Sequence, residues 1–465
     1  MRHTRRQFLR RAGCALGAAT LFTRIEHFAP LSVMAQSGAD YRALVCIFLA
    51  GGNDGNNLIV PLSSSGYSSY SAARGASGLA IADTSLLPIT PSSINEPYGL
   101  HPSLPELSTL WAQQKLAVVC NVGPLVQPLT RQQYQGGGVA RPYQLFSHSD
   151  QIAQWQTARA DAVSPTGWGG RTADLFGPNS SGFPMITALS GGSFIQGETA
   201  QPLSIAPAPT PLNQVLVLNG FSTGAEEAAR RNSMNYLRTI DRDFTLVKAV
   251  SDKTQQALDI GQSLNVDPAL ATPFPNTTLG NQLRQVAKVI KHVQASPSLG
   301  VTRQIFFCQL GGFDTHQNQV GTQASLLTQV SQAMKAFYDA TVELGAENKV
   351  TTFTHSDFGR TLQPAGTGSG VVGSDHAWGN HHFVMGGAVR GGDFYGVPGL
   401  DGTVFPTLQL GGPDDTDNRG RWIPTASVEQ YAATLATWYG VSASDLPGVF
   451  PLIGNFSTPN LGFMM

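Results

Sequence analysis

Between Gly373 and Gly387 the chain reads GSDHAWGNHHFVMGG, an Asp, three His and a Trp set among glycines. Asp375, His376, His381 and His382 are carboxylate and imidazole donors of the kind that hold divalent ions. The glycines argue against helix, which places the Asp-His end in a loop. His382 to Val389 then reads as a strand entering the core. If His381 and His382 both lie in that strand they face opposite sides of it, so at most one joins a site. Two further stretches set an acid on a glycine turn, GGNDGNN at 51–57 and GGFDTHQNQ at 311–319. Asp54 in the first is a candidate ligand or a turn acid capping backbone amides. Asp314 and His316 in the second, two apart in an extended turn, can face one ion. Asp357 in the stretch SDFGRT is another acid just past a strand. Arg360 in the same stretch could hold a substrate oxyanion or pair with a carboxylate.

Hydroxyl chemistry has a candidate as well. Ser147 and Ser149 in LFSHSDQ precede a helix that runs through Gln154 and Trp155. Free amides and the helix dipole favour both an oxygen nucleophile and a phosphate-like anion at such a place. For either serine alone, capping the helix is the stronger reading. His148 between them is a ligand, a base, or neither.

These residues need a scaffold that gathers them. Arg42 to Ala50 (RALVCIFLA), Leu116 to Val122 (LAVVCNV), Arg303 to Leu310 (RQIFFCQL) and Lys349 to His355 read as strands buried on both faces. Helices are expected at Leu104 to Gln114, across 224–264, at Gln282 to Val293 and at Leu326 to Leu344. Met185 to Leu189 and Gln214 to Leu218 are shorter strand candidates. The order strand, helix, strand over 42–122 implies that the first two strands pair in parallel. Residues 62–95 are rich in Ser, Gly and Ala and read as a surface excursion. The fold class is α/β, a mostly parallel central sheet with helices on both faces. Open sheets of this kind collect ligands at the carboxyl ends of their strands, where Asp54, Asp314, His316 and Asp357 fall.

The first 35 residues read as an export signal. Thr4-Arg5-Arg6-Gln7-Phe8-Leu9 is a twin-arginine motif, followed by a weakly apolar run and Val33-Met34-Ala35 as a cleavage pattern. The expected location is periplasmic or extracellular, and residues 36–465 form one domain with a helical insertion around 224–295. The chain has 29 basic and 30 acidic residues; the signal carries six Arg and one Glu, which leaves 23 against 29. That mildly acidic balance speaks against a nucleic-acid partner, and no later apolar run is long enough to span a bilayer. Cys46, Cys120 and Cys308 sit in apolar runs and read as buried thiols.

The motifs GGNDGNN (51–57), LHPSL (100–104), SHSDQ (147–151), GWGGR (167–171), GGFDTHQNQ (311–319), SDFGRT (356–361) and DHAWGNHHFVMGGAVRGG (375–392), with the twin-arginine start, resemble the exported bacterial family called domain of unknown function 1501. That family is similar to the alkaline phosphatase/sulfatase superfamily. The resemblance implies an alkaline-phosphatase-like fold and one or two divalent ions, Zn, Ca, Mg or Mn. Its metal residues would be Asp54, Asp314, His316, Asp357 and His376, with Ser147 or Ser149 as nucleophile. It implies a metal-dependent hydrolase of phosphate, sulfate or related esters, acting on a small molecule or a polymer. The alternative is a non-catalytic metal-binding periplasmic protein with an assembly or surface-polymer role. Asp357 is followed by Phe358 where a phosphatase has a His. No mature Cys begins Cys-x-Pro-x-Arg, which excludes the formylglycine nucleophile of the usual sulfatases.

Overall fold

β1 (Arg42–Leu49) lies in the middle of a nine-stranded sheet. The computed structural model describes residues 41–465 apart from 95, 180, 217–223, 241 and 367–371. The expected signal lies outside the described residues, and Arg42–Met465 form one compact unit. In chain order the sheet also contains β2 (Leu116–Gly123), β3 (Ile186–Ala188), β4 (Leu203–Ser204), β5 (Arg303–Leu310) and β6 (Val350–Ser356). After β6 comes a separate hairpin, β7 (Arg360–Pro364) and β8 (Ser374–His376). The main sheet is completed by β9 (Asn380–Met385), β10 (Phe394–Tyr395) and β11 (Ala426–Ser427). The order across it is β10-β2-β9-β6-β1-β5-β3-β4, with β11 also paired to β2. Only β9 runs antiparallel, against both β2 and β6.

The expected β1–β2 pair does not form. β6 and β9 stand between them, because β1 gives one edge to β5 and the other to β6. Both pairings are in register to the last residue, Leu49 opposite Leu310 and opposite Ser356. Three parallel strands therefore end at one level, and the turns that follow them start side by side.

Helices cover both faces. The helices used below are α1 (Ser64–Arg74), α2 (His148–Thr157), α3 (Ala225–Leu237), α4 (Thr245–Ser263), α5 (Thr278–Ala295), α6 (Gln319–Glu343) and α7 (Val428–Tyr439). Leu44, Cys46 and Phe48 pack with Trp155 of α2, Trp168 and Tyr431 of α7. Alternation along the strand sends Val45 and Ile47, fully buried, to the opposite face. The expected helical insertion divides: α3 buries no residue and α4 buries two, whereas α5 buries Leu283, Val286 and Ile290 on its sheet side. The stretch expected as a strand at Gln214 to Leu218 begins as the end of a 3-10 turn, and residues 217–223 lie outside the described residues. Cys46, Cys120 and Cys308 are buried free thiols. No helix among the described residues is long and apolar enough to cross a membrane.

Candidate metal centre

The end of β1 turns through Gly51 (φ 117°) and Gly52 (φ 84°), backbone that an L side chain rarely adopts. A Cβ on Gly51 would sit 2.3 Å from the Asp314 nitrogen, so the turns after β1 and β5 touch backbone to backbone. Arg360 at the start of β7 ties them together. Its Nε donates to Gly52 O, its Nη1 to Ser374 O, and its Nη2 to Gly51 O, Phe313 O and Asp314 Oδ1. Each nitrogen of this buried guanidinium thus has a protein acceptor. The structure gives Arg360 the role of a strut, not of an exposed oxyanion contact.

Four side chains meet above this strut. Asp314 Oδ1 lies 3.1 Å from His316 Nε2, 3.3 Å from His376 Nε2 and 3.5 Å from His148 Nε2. The Nε2 atoms of His316 and His376 are 2.9 Å apart. Among the described residues, His148, Asp314 and His376 form a group whose donor atoms lie within 4.8 Å of one another. Donor atoms bound tetrahedrally to zinc at about 2.0–2.1 Å lie roughly 3.3 Å from each other.

The outer edges of two of the rings fix their tautomers. His148 Nδ1 donates to Asp357 Oδ2 at 2.7 Å, and Asp357 Oδ1 accepts the Gly51 N–H at 2.9 Å. His376 Nδ1 donates to the carbonyl of Phe146 at 2.8 Å. His316 Nδ1 faces Asp375 Oδ1 at 3.3 Å, and Asp375 is held by Arg419 at 2.6 Å. The Nδ1 protons of His148 and His376 are engaged, so their Nε2 atoms turn lone pairs inward. His148 Nε2 is buried without a hydrogen-bond partner. His376 Nε2 is left as an acceptor facing His316 Nε2 at 2.9 Å. A cation among these Nε2 atoms would give His148 Nε2 its missing partner, and the pattern of carboxylate or carbonyl behind each imidazole is that of metal-bound histidine. The residues present therefore fit a divalent ion.

Charge follows the same layout. The bond to Asp357 raises the pKa of His148 against the opposing effect of burial. Burial lowers that of His376. Burial would raise Asp314, but the bond and charge of Arg360, with His148 and His316, hold it below the ordinary carboxylate value. Asp375 is lowered too, Arg419 outweighing burial.

Other expected residues stand elsewhere. Asp54 faces away from this group, buried against Arg74 at the end of α1. His381 does not join it: the ring stacks on Phe405 at 4.6 Å and accepts the Asn121 N–H, and burial pushes its pKa down to about 3. His382, on the other side of β9, packs on Trp155. Asp357 and Asp375 touch the imidazoles from outside. Ser147 occupies the N-cap position of α2 but makes no capping bond; its hydroxyl donates to Asp150 Oδ2 at 2.6 Å and lies 3.1 Å from Ser149 Oγ. Sequence reasoning left His148 open and missed Arg74 and the Phe146 carbonyl. The serine at the helix start drew attention to the hydroxyl, while the next residue carries the ring that reaches the strand ends.

A family model described as "Protein of unknown function (DUF1501)" matches residues 41–403. No curated protein matches the chain by sequence. Among solved structures it is similar to the zinc complex of the C-terminal periplasmic domain of EcEptC from Escherichia coli, at 10% identity over 88% of this chain and 84% of that one, TM-score 0.33. It is also similar to the PsFucS1 sulfatase from Pseudoalteromonas sp., at 10% identity over 78% and 66%, TM-score 0.29. A third is the phosphonate monoester hydrolase of Agrobacterium radiobacter, at 9% identity over 86% and 74%, TM-score 0.30.

Proposed function

We propose that this chain, which belongs to the DUF1501 family, is an exported hydrolase of phosphate, sulfate or related esters. It depends on a divalent metal held by His148, Asp314, His316 and His376. The observation that carries this reading is the convergence of three imidazole Nε2 atoms on one carboxylate oxygen, each ring held from behind by an acceptor. An ion bound there would supply electrophilic pull on an ester oxygen. The chain's own groups set the rest. Three nitrogens and one oxygen suit zinc and its neighbours better than calcium or magnesium, which take oxygen ligands. Asp357 and the Phe146 carbonyl keep two rings in the tautomer that binds. Asp314, His316 and His148 are part-exposed, so a substrate reaches the centre from solvent. Ser147 Oγ, with its proton directed at Asp150, is the first choice of nucleophile and Ser149 the second.

Arg360 favours a second reading. Its side chain is fully buried and bonded to backbone carbonyls and Asp314, away from any substrate anion, as in a metal-binding protein without catalysis that serves assembly or surface-polymer handling. One experiment separates the two. Metal-loaded protein that hydrolyses aryl phosphate or aryl sulfate, and loses this on metal removal and in Ser147→Ala, supports the hydrolase. Bound metal without turnover on either ester supports the second reading.

A further inference from the structure

We infer that the centre takes one divalent ion per chain, because the neighbouring acidic turn already contains its cation, the guanidinium of Arg74. This rests on the metal-centre reading above and settles its stoichiometry. Asp54 has two oxygens and about four lone-pair positions. Oδ1 accepts from Arg74 Nη2 at 3.0 Å and from the Asn56 N–H at 3.2 Å; Oδ2 accepts from Arg74 Nη1 and Gln319 Nε2, both at 2.5 Å. Gln319 is itself fixed by the Ser374 hydroxyl at 2.6 Å. Arg74 is equally saturated: Nε donates to Leu362 O, Nη2 also to Thr361 O, and Nη1 also to Asn57 Oδ1. Both side chains are fully buried. A second ion at Asp54 would have to displace a guanidinium whose five N–H groups all have partners.

Asp357 offers no other place. One of its oxygens holds Gly51 and the other holds His148, and the residue is 1% exposed. Arg360 sets a permanent positive charge beside Asp314, on the side where a second ion would share that carboxylate. The two-ion clamp, with one ion on the attacking oxygen and another on the leaving oxygen, has no room here. Any reaction at this centre uses one ion and fixed protein charges.

The test is the metal content of the full chain. Chelator-stripped protein is titrated with zinc chloride, desalted, and analysed for zinc per chain, alongside Asp54→Asn and His316→Ala. The expected result is one zinc in the natural protein and one in Asp54→Asn, with binding at least tenfold weaker in His316→Ala. Two tightly held ions in the natural protein overturn the inference and leave the metal centre standing, whatever Asp54→Asn shows. No zinc in the natural protein overturns the metal centre and the inference with it. The natural protein decides the count alone, so poor folding of a variant does not blunt the test.

Discussion

The turns after β1 and β5 both carry Gly-Gly-x-Asp at the ends of neighbouring parallel strands. Yet the Asp54 side chain is fully buried against Arg74, while that of Asp314 is 47% exposed beside three imidazoles. Local sequence does not separate the two acids. What separates them is a long-range partner: α1, arising from the Ser- and Ala-rich stretch, delivers an arginine into the first turn. The second turn receives rings from α2 and β8. A turn acid becomes structure or chemistry according to which neighbour the fold sends to it.

The strongest way to break this comparison is to exchange the roles. Arg74→Ala leaves Asp54 buried and unpaired, and unfolding in urea should show a loss of about 3–5 kcal/mol. Asp314→Asn keeps an oxygen for Arg360 and should change the stability of metal-free protein by under about 1 kcal/mol, while greatly weakening ion binding. Equal destabilisation by the two would erase the distinction. Gly51→Ala tests whether the turns must touch. A left-handed backbone and a Cβ 2.3 Å from the Asp314 nitrogen should cost about 1–3 kcal/mol and lower ion affinity as well, read by the same urea and zinc titrations. Asp357→Asn probes the second turn from behind. Loss of the acceptor for His148 should weaken zinc binding about 10–100-fold; an unchanged dissociation constant would remove Asp357 from the account.

An effect set apart from the two turns, and seen only through pH, concerns a buried acid with no ion pair among the described residues. Glu429 at the start of α7 has one oxygen on the Leu452 N–H and the other without a partner, and burial raises its pKa to about 8. The folded state then holds a proton that the unfolded state has lost, so stability falls as pH rises from about 4.3, the ordinary Glu value, toward 8 and levels above it. Glu429→Gln should remove this slope and gain several kcal/mol at pH 9, at about 1.4 kcal/mol for each unit of the shift, with little gain at pH 4. Parallel pH profiles of the two proteins would refute the assignment.

The scaffold was legible where burial dictates composition. The runs at 42–50, 116–122, 303–310 and 349–355 are apolar because both faces of those strands are covered, and each appears as a strand within a residue or so. Strand order was not legible, since β9 enters between β2 and β6 from late in the chain. In the candidate centre, Asp314, His316 and His376 could be read from residue type next to glycine turns. Asp54 reads identically and stands apart. His381 shares a motif with His376, yet the strand carries it into the core against Phe405. Spacing shows which donors lie near a turn; it does not show whether a distant arginine or a phenyl ring has reached them first.

The inward-facing imidazoles come from positions 148, 316 and 376, with nearly half the chain between the first and the last. A growing polypeptide cannot assemble this set until about four-fifths of it has been made and β8 has docked. Capture of an ion there would follow that step, and a chain broken off before position 376 would lack one of the proposed ligands.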